Sequence, residues 1–298
     1  MTSHRHIRLG HRCLISVTGE DRRTFLQGLL SVDVAKAASR CCALYGAFLT
    51  PQGKFLHEFF LAEQGDELVL ETEEERHADF VKRLNVYRLR SKVAIRRGPA
   101  FDVYALIGDD AAEAVGLPKD AGAARRFADG LVFVDPRLPA AGLRCWLPAG
   151  AEAALREAGF APAETAIWDL NRIRLGLPDG SRDMVPEKAM LLENGFDELH
   201  GVDWQKGCFL GQELTARTRY RGLIRKRLMP VEIDGRPPEP GTPIRLGDSE
   251  AGEMRSHAGS LGLALIRLDA LAQLAEHGGT LSAGRAALSP IKPEWAQF

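Results

Sequence analysis

"DWQKGCFLGQELTARTRYRG", residues 203–222, sets one cysteine between a lysine and two glycines and then runs into an arginine-rich segment. Gly207 and Gly211 permit tight or left-handed backbone on either side of Cys208. Residues 212–219 are good helix formers. Glu213 falls in the first turn, and Arg217 follows four residues later, a placement favoured by the helix dipole and by i,i+4 pairing. A helix beginning near Gly211 puts Cys208 just before its N-terminus, with Lys206 two residues away. Both features stabilise a thiolate and lower the thiol pKa from its usual ~8.5. Free cysteines are equally among the most buried residue types, and most are inert. On residues alone, nucleophile, metal ligand and apolar filler all stay open.

Arg217, Arg219, Arg221, Arg225, Lys226 and Arg227 follow in a run that contains no acid, with Tyr220 interleaved. Such a run can hold carboxylates or phosphates, of a small anion or of RNA, or it can be a solvated basic face. The whole chain of 298 residues has a net charge of −1, so no global field draws it to nucleic acid or to an anionic membrane; any attraction must be local. That balance favours a local anion site, with no membrane among the partners.

The length implies two or three subdomains. An apolar fraction of 45% and a charged fraction of 27% are those of an ordinary globular protein. The five cysteines (13, 41, 42, 145, 208) are odd in number and include no CxxC pair, which speaks against a disulfide framework or a structural zinc site. The basic start has no apolar stretch of signal-peptide length, so the default is a cytoplasmic protein.

Outward from residue 203, the pattern is one of short strands, helices and hairpins. "CLISVTGEDRRTFLQGLLSVDV" reads as strand, turn and helix, with Asp21 and Thr24 at the helix start. A strand over 41–48 leads to the turn "TPQGK", and residues 55–72 form a hairpin. Apolar residues at 80, 81, 84 and 87 predict an amphipathic helix. Strands follow at 101–108, 130–136 and 143–148, and helices from 110 and over 150–159 and 163–175. The segment 177–204 is a long, turn-rich loop of a kind that is often functional. Past Pro230 the composition becomes that of a small β-rich domain. The class is α+β.

The stretch resembles the signature of the YgfZ family, K-G-C-aromatic-x-G-Q-E-x-x-A-R-x-x-aromatic-R-G. The matching residues are Lys206, Gly207, Cys208, Phe209, Gly211, Gln212, Glu213, Ala216, Arg217, Tyr220, Arg221 and Gly222. "VTGEDRRTFLQGLLSVDV", "TPQGK" and "RIRLGLPDGSRDMVPE" look like further family segments, so the resemblance spans residues 13–227, with a weaker match through "GSLGLALIRLD". It implies a fold related to the glycine-cleavage T-proteins: a folate-binding region over 1–225, in subdomains of about 1–45 with 100–225 and 46–99. A small β-barrel follows over 226–298, and the whole surrounds a central channel.

The resemblance further implies a folate-binding accessory protein for assembly or repair of [4Fe–4S] proteins, rather than a turnover enzyme. Cys208 is its functional residue, with Lys206 beside it. Tetrahydrofolate or a derivative is the implied cofactor, contacted by Trp168, Gly207, Gly211, Gln212, Glu213, Arg217, Tyr220 and Arg221, without a tightly bound metal. Partners are iron–sulfur clients or assembly proteins, with tRNA reached only indirectly, through enzymes that modify it. T-proteins carry an aspartate pair where this chain has His57-Glu58, and a glutamate where it has Arg174; Arg12 stands near the place of a second tryptophan. The runner-up is a tetrahydrofolate-dependent one-carbon transferase or demethylase using Glu58 or His57 as base. A cysteine hydrolase pairing Cys208 with His57 or His200, and direct tRNA binding through 217–227, are further alternatives.

Overall fold

The computed structural model describes residues 4–38, 42–222 and 224–298, which form two compact units. The first comprises residues 1–49, 56–165 and 199–210, the second 50–55, 166–198 and 211–298.

In the first unit the elements are β1 (Arg5–Arg8), β2 (Arg12–Thr18), α1 (Arg22–Gln27), α2 (Ala35–Ala38), β3 (Leu44–Leu49), β4 (Phe55–Gln64), β5 (Glu67–Glu73) and α3 (His77–Arg88). After these come β6 (Ala94–Arg97), β7 (Phe101–Ile107), α4 (Ala111–Ala114), β8 (Ala124–Phe127), β9 (Gly130–Val134), β10 (Leu143–Pro148), α5 (Glu152–Glu157) and β11 (Ala161–Pro162). They build a five-stranded sheet, β3-β4-β5-β2-β6, and a six-stranded sheet, β11-β1-β7-β10-β9-β8.

β2 lies inside its sheet, between β5 and β6, and is buried along six of its seven residues, so burial does not alternate along it; two of the buried positions, Arg12 and Ser16, are polar. The chain leaves β2 through Gly19 at φ +107, where a Cβ would lie 2.1 Å from the Lys92 carbonyl oxygen. Asp21 does not cap α1 with its side chain; its carboxylate accepts the Lys92 amide at 2.7 Å and ties the two turns together. α3 buries Phe80 and Leu84, as its apolar spacing requires. The basic start, read only as such from sequence, supplies β1, whose inner residues His6 and Ile7 are buried. Of the strand expected over 41–48, Cys41 lies outside the described residues, and Cys42 bridges to Ala123.

The second unit holds α6 (Thr165–Arg174), α7 (Gln212–Tyr220), β12 (Lys226–Asp234), β13 (Pro243–Leu246), β14 (Ser249–Ala258), β15 (Leu261–Arg267), α8 (Leu268–His277), β16 (Leu281–Ala283) and β17 (Ala286–Pro290). The six strands close in the order β12-β15-β14-β13-β16-β17, with β12 pairing β17, so the barrel has no free edge. α8 is an addition to the β-rich reading of this region.

The long segment after α6 is stapled rather than loose. Arg172, fully buried, donates to Asp183 Oδ2 at 2.7 Å, to Ser256 Oγ at 2.9 Å and to Asp169 Oδ1 at 2.7 Å. Ser256 in turn donates through Oγ to Asp183 Oδ1 at 2.5 Å. A charge sealed in the interior is tolerable only when its donors are met in this way.

Candidate functional site

The segment that carries Cys208 belongs to the first unit and is pinned on both sides of the cysteine. Ser31 Oγ donates to the Gly201 carbonyl at 2.6 Å, the Asp203 amide donates to the Ser31 carbonyl at 2.9 Å, and Asp203 pairs with Lys36 at 2.5 Å. Lys206 then turns inward. Its ammonium donates to the carbonyls of Gln27, Leu30 and Val32 at 2.7, 2.5 and 2.8 Å, taking up acceptors that the end of α1 and the following turn leave without partners. Burial pulls its pKa down to about 8, and three carbonyl acceptors demand the protonated form. Beyond the cysteine, Phe209 is buried with its ring centroid 5.1 Å from the Lys206 nitrogen, and the Leu210 amide donates to the Gly28 carbonyl at 3.0 Å.

Between these anchors Cys208 is exposed. Gly207 beside it has no atom within 4 Å of where a Cβ would stand. The result is a thiol held out to solvent on a short bridge whose two feet are buried. Lys206 was expected to act beside the sulfur; all three of its N–H donors are spent on carbonyls, so it is a positioning residue. Cys13 and Cys145 are the opposite case, both buried, with desolvation pushing the Cys13 thiol up to about 12 and Cys145 higher still.

The other expected site residues lie in the second unit. Gly211 adopts φ +79 and caps α7, whose first turn contains Gln212 and Glu213. Glu213 and Arg217 make the i,i+4 pair at 2.5 Å. Tyr220 is 77% exposed, and Arg221 and Arg225 face solvent. Arg227 departs from the basic face: it is buried and donates to Glu198 at 2.7 Å and to the Leu192 carbonyl at 2.8 Å. Trp168 is 1% exposed on α6, a core position rather than an open stacking surface. Among the described residues no group of three or more His, Cys, Asp or Glu side chains could hold a metal ion.

Sequence reasoning missed a buried ionic network between the two sheets of the first unit. Arg12 donates to Glu58 at 2.9 Å and to Glu71 at 3.0 Å, and Tyr45 donates to the other oxygen of Glu58 at 2.6 Å. Arg144 also donates to Glu71, whose second oxygen takes the Trp146 indole N–H at 2.7 Å. Arg137 is paired with Asp135 through Nε and Nη2 at 3.0 and 2.8 Å, and the Arg144 guanidinium lies 3.8 Å from the Phe60 ring centroid. The available signal was a charge inside each apolar strand run: Glu58 in "FLHEFF", Glu71 in "LVLET", Arg144 in "LRCW".

Glu58 and His57 are therefore not the free bases that a transferase reading needs. His57 is stacked on Phe80 at 4.4 Å and shares a 2.9 Å hydrogen bond with Asp79. Burial first, and then the charge of Arg76, hold its pKa down at about 3, so it is neutral at physiological pH.

Comparison with known proteins places this geometry. Residues 225–298 match the family model described as the CAF17 C-terminal beta-barrel domain. The iron-sulfur cluster assembly factor IBA57 homolog of Coccidioides immitis is 32% identical, over 92% of this chain and 73% of that protein. Human IBA57 is 34% identical, over 87% and 76% respectively. The chain belongs to the IBA57 family of iron–sulfur cluster assembly factors. The glycine cleavage system aminomethyltransferase T of Bartonella henselae superposes with a TM-score of 0.76 over 99% of this chain and 86% of its own, at 16% identity, which shows a common fold. The resemblance to assembly factors on a T-protein fold holds at that level; the narrower likeness to YgfZ proteins is not carried by these relatives. The IBA57 relatives are named as mitochondrial proteins, which overturns the expectation of a cytoplasmic protein.

Proposed function

We propose that this chain supports iron–sulfur protein assembly by offering Cys208 as a single thiolate to a cluster presented by a partner protein. The observation that carries the reading is the exposed sulfur on a doubly anchored loop. One thiolate supplies one iron ligand, and the remaining ligands come from the partner. The thiol gives its proton to solvent as the S–Fe bond forms, and no net redox change is needed. Membership of the IBA57 family supports the assembly role, and the burial of Glu58 and His57 disfavours one-carbon transfer. The arginines of α7 supply a basic face for an acidic partner surface. The reading does not depend on folate, whose expected contact Trp168 is buried.

The test is complementation of cells that lack the native gene. Cys208→Ser, expressed at the wild-type level, is expected to leave [4Fe–4S] enzyme activities at the level of the deletion. Full restoration by Cys208→Ser would overturn the proposal.

A further inference from the structure

The surface at the end of α3 has the chemistry of a lipid contact. Phe80 and Leu84 are fully buried, and at 100° per residue the helix positions opposite them are Lys82, Asn85 and Val86. Val86 is 66% exposed and Leu89 88%, the most exposed large apolar side chain described. One exposed aliphatic group thus stands on the solvent face of α3 and a second on the residue that ends it.

Leu89 is out of place in a second way. Its backbone has φ 42 and ψ −110, and the Ser91 amide donates to the Arg88 carbonyl at 2.8 Å. That is a type II′ turn with Leu89 at the first central position, where glycine is the default. Both the backbone and the hydration of the side chain disfavour leucine here, and at 88% exposure little packing among the described residues offsets them.

The surrounding charges are cationic. Lys82, Arg88 and Arg90 are exposed and form no ion pair among the described residues. Of the acids, Glu20 is paired with Lys92, and Asp79 with Arg76, Arg83 and His57; Asp21 accepts the Lys92 amide and keeps its charge, one acid against three cations. The chain as a whole is nearly neutral, so any attraction for anions here is local.

We propose that the Val86–Leu89 tip, ringed by Lys82, Arg88 and Arg90, docks on an anionic phospholipid bilayer. Protein interfaces bury ~800 Å² per partner around aromatic or arginine anchors in pockets. Two exposed aliphatic side chains lack that area. Shallow insertion at the boundary between headgroups and acyl chains, with cations over the headgroups, needs only what is present.

The test is co-sedimentation of the full chain with vesicles of phosphatidylcholine, with and without phosphatidylglycerol. Binding is expected with the anionic vesicles only, and it weakens as salt rises. Leu89→Ser and Val86→Ser are each expected to reduce partitioning about tenfold. Leu89→Gly suits the turn, so it should bind as weakly as Leu89→Ser while its melting temperature holds or rises, which separates docking from folding. Wild-type protein that stays in solution with anionic vesicles at low salt, or Leu89→Gly that binds as the wild type does, would overturn the assignment. Leu89-dependent retention on immobilised polyglutamate without vesicle binding would transfer the surface to an acidic protein and overturn it equally.

Discussion

Arg12 Nη1 lies 2.9 Å from Glu58 Oε1, with neither side chain more than 1% exposed. This contact converts a residue that could have been a base into part of the scaffold. Glu58 has both oxygens occupied, one by Arg12 and one by Tyr45. Glu58→Gln leaves a buried guanidinium short of its counter-charge, and breaking such a pair costs about 3–5 kcal/mol. A urea denaturation midpoint lowered correspondingly, with an unchanged m-value, is the expected result. A neutral outcome would mean that the network is not sealed.

Lys206→Met keeps the length of the side chain and removes its three donors. Three carbonyls then face one another without a partner, and the expected loss is about 3 kcal/mol. The footing of the Cys208 loop should open in the same variant, seen as faster hydrogen exchange at the Leu210 amide, which donates to Gly28. Cys208→Ser touches neither anchor and should leave the melting temperature unchanged.

The cysteines should label in order of their burial. Under native conditions a maleimide is expected to modify Cys208 first, while Cys13 and Cys145, buried and with their thiols raised by desolvation, stay protected until the chain unfolds. Peptide mass spectrometry distinguishes the sites. Early modification of Cys145 would contradict the packing of the first unit's core.

Much of this architecture is legible because local rules write it. Phe80 and Leu84 recur at helical spacing, Gly53 and Pro51 punctuate a turn, and Glu213 with Arg217 announces α7. The opposite holds for Lys206. Its value lies in carbonyls more than 170 positions away, and nothing in "QKGCF" signals that reach. The same limit hid the pairing of Arg12 with Glu58, since each strand shows one odd charge and only the packed sheets show that the charges meet. The candidate cysteine could be picked out in the sequence; whether its neighbouring lysine served chemistry or anchoring could not.

His57 gives the pH response a sign. Its folded pKa is about 3, against an ordinary 6.5 in the unfolded chain. Above pH 6.5 neither state is protonated and stability is full. Between 6.5 and 3 the unfolded chain takes up a proton that the folded one refuses, so stability falls as the pH falls, and below 3 the loss levels off. The expected difference between pH 7 and pH 5 is about 2 kcal/mol from this group. His57→Phe retains a ring against Phe80 and should remove that increment, measured as a smaller change in unfolding free energy than the wild type shows.

Gly53 closes the turn that meets the start of α7 within the second unit. The turn is made by Thr50, whose carbonyl accepts the Gly53 amide at 2.8 Å and whose hydroxyl accepts the Lys54 amide at 3.1 Å. Gly53 has φ +73, and a Cβ there would lie 2.7 Å from the Gly211 carbonyl oxygen and 2.9 Å from Leu214 Cβ. Gly65 has φ +59 and nothing within 4 Å, so it carries the backbone penalty alone. Gly65→Ala should therefore cost about 1 kcal/mol, the ordinary expense of a left-handed alanine. Gly53→Ala should cost about 3 kcal/mol, because the contact with Gly211 and Leu214 adds overpacking to the same backbone term. The difference between the two variants in one denaturation series isolates the packing, and equal losses would show that this turn does not bear on the helix that follows the cysteine.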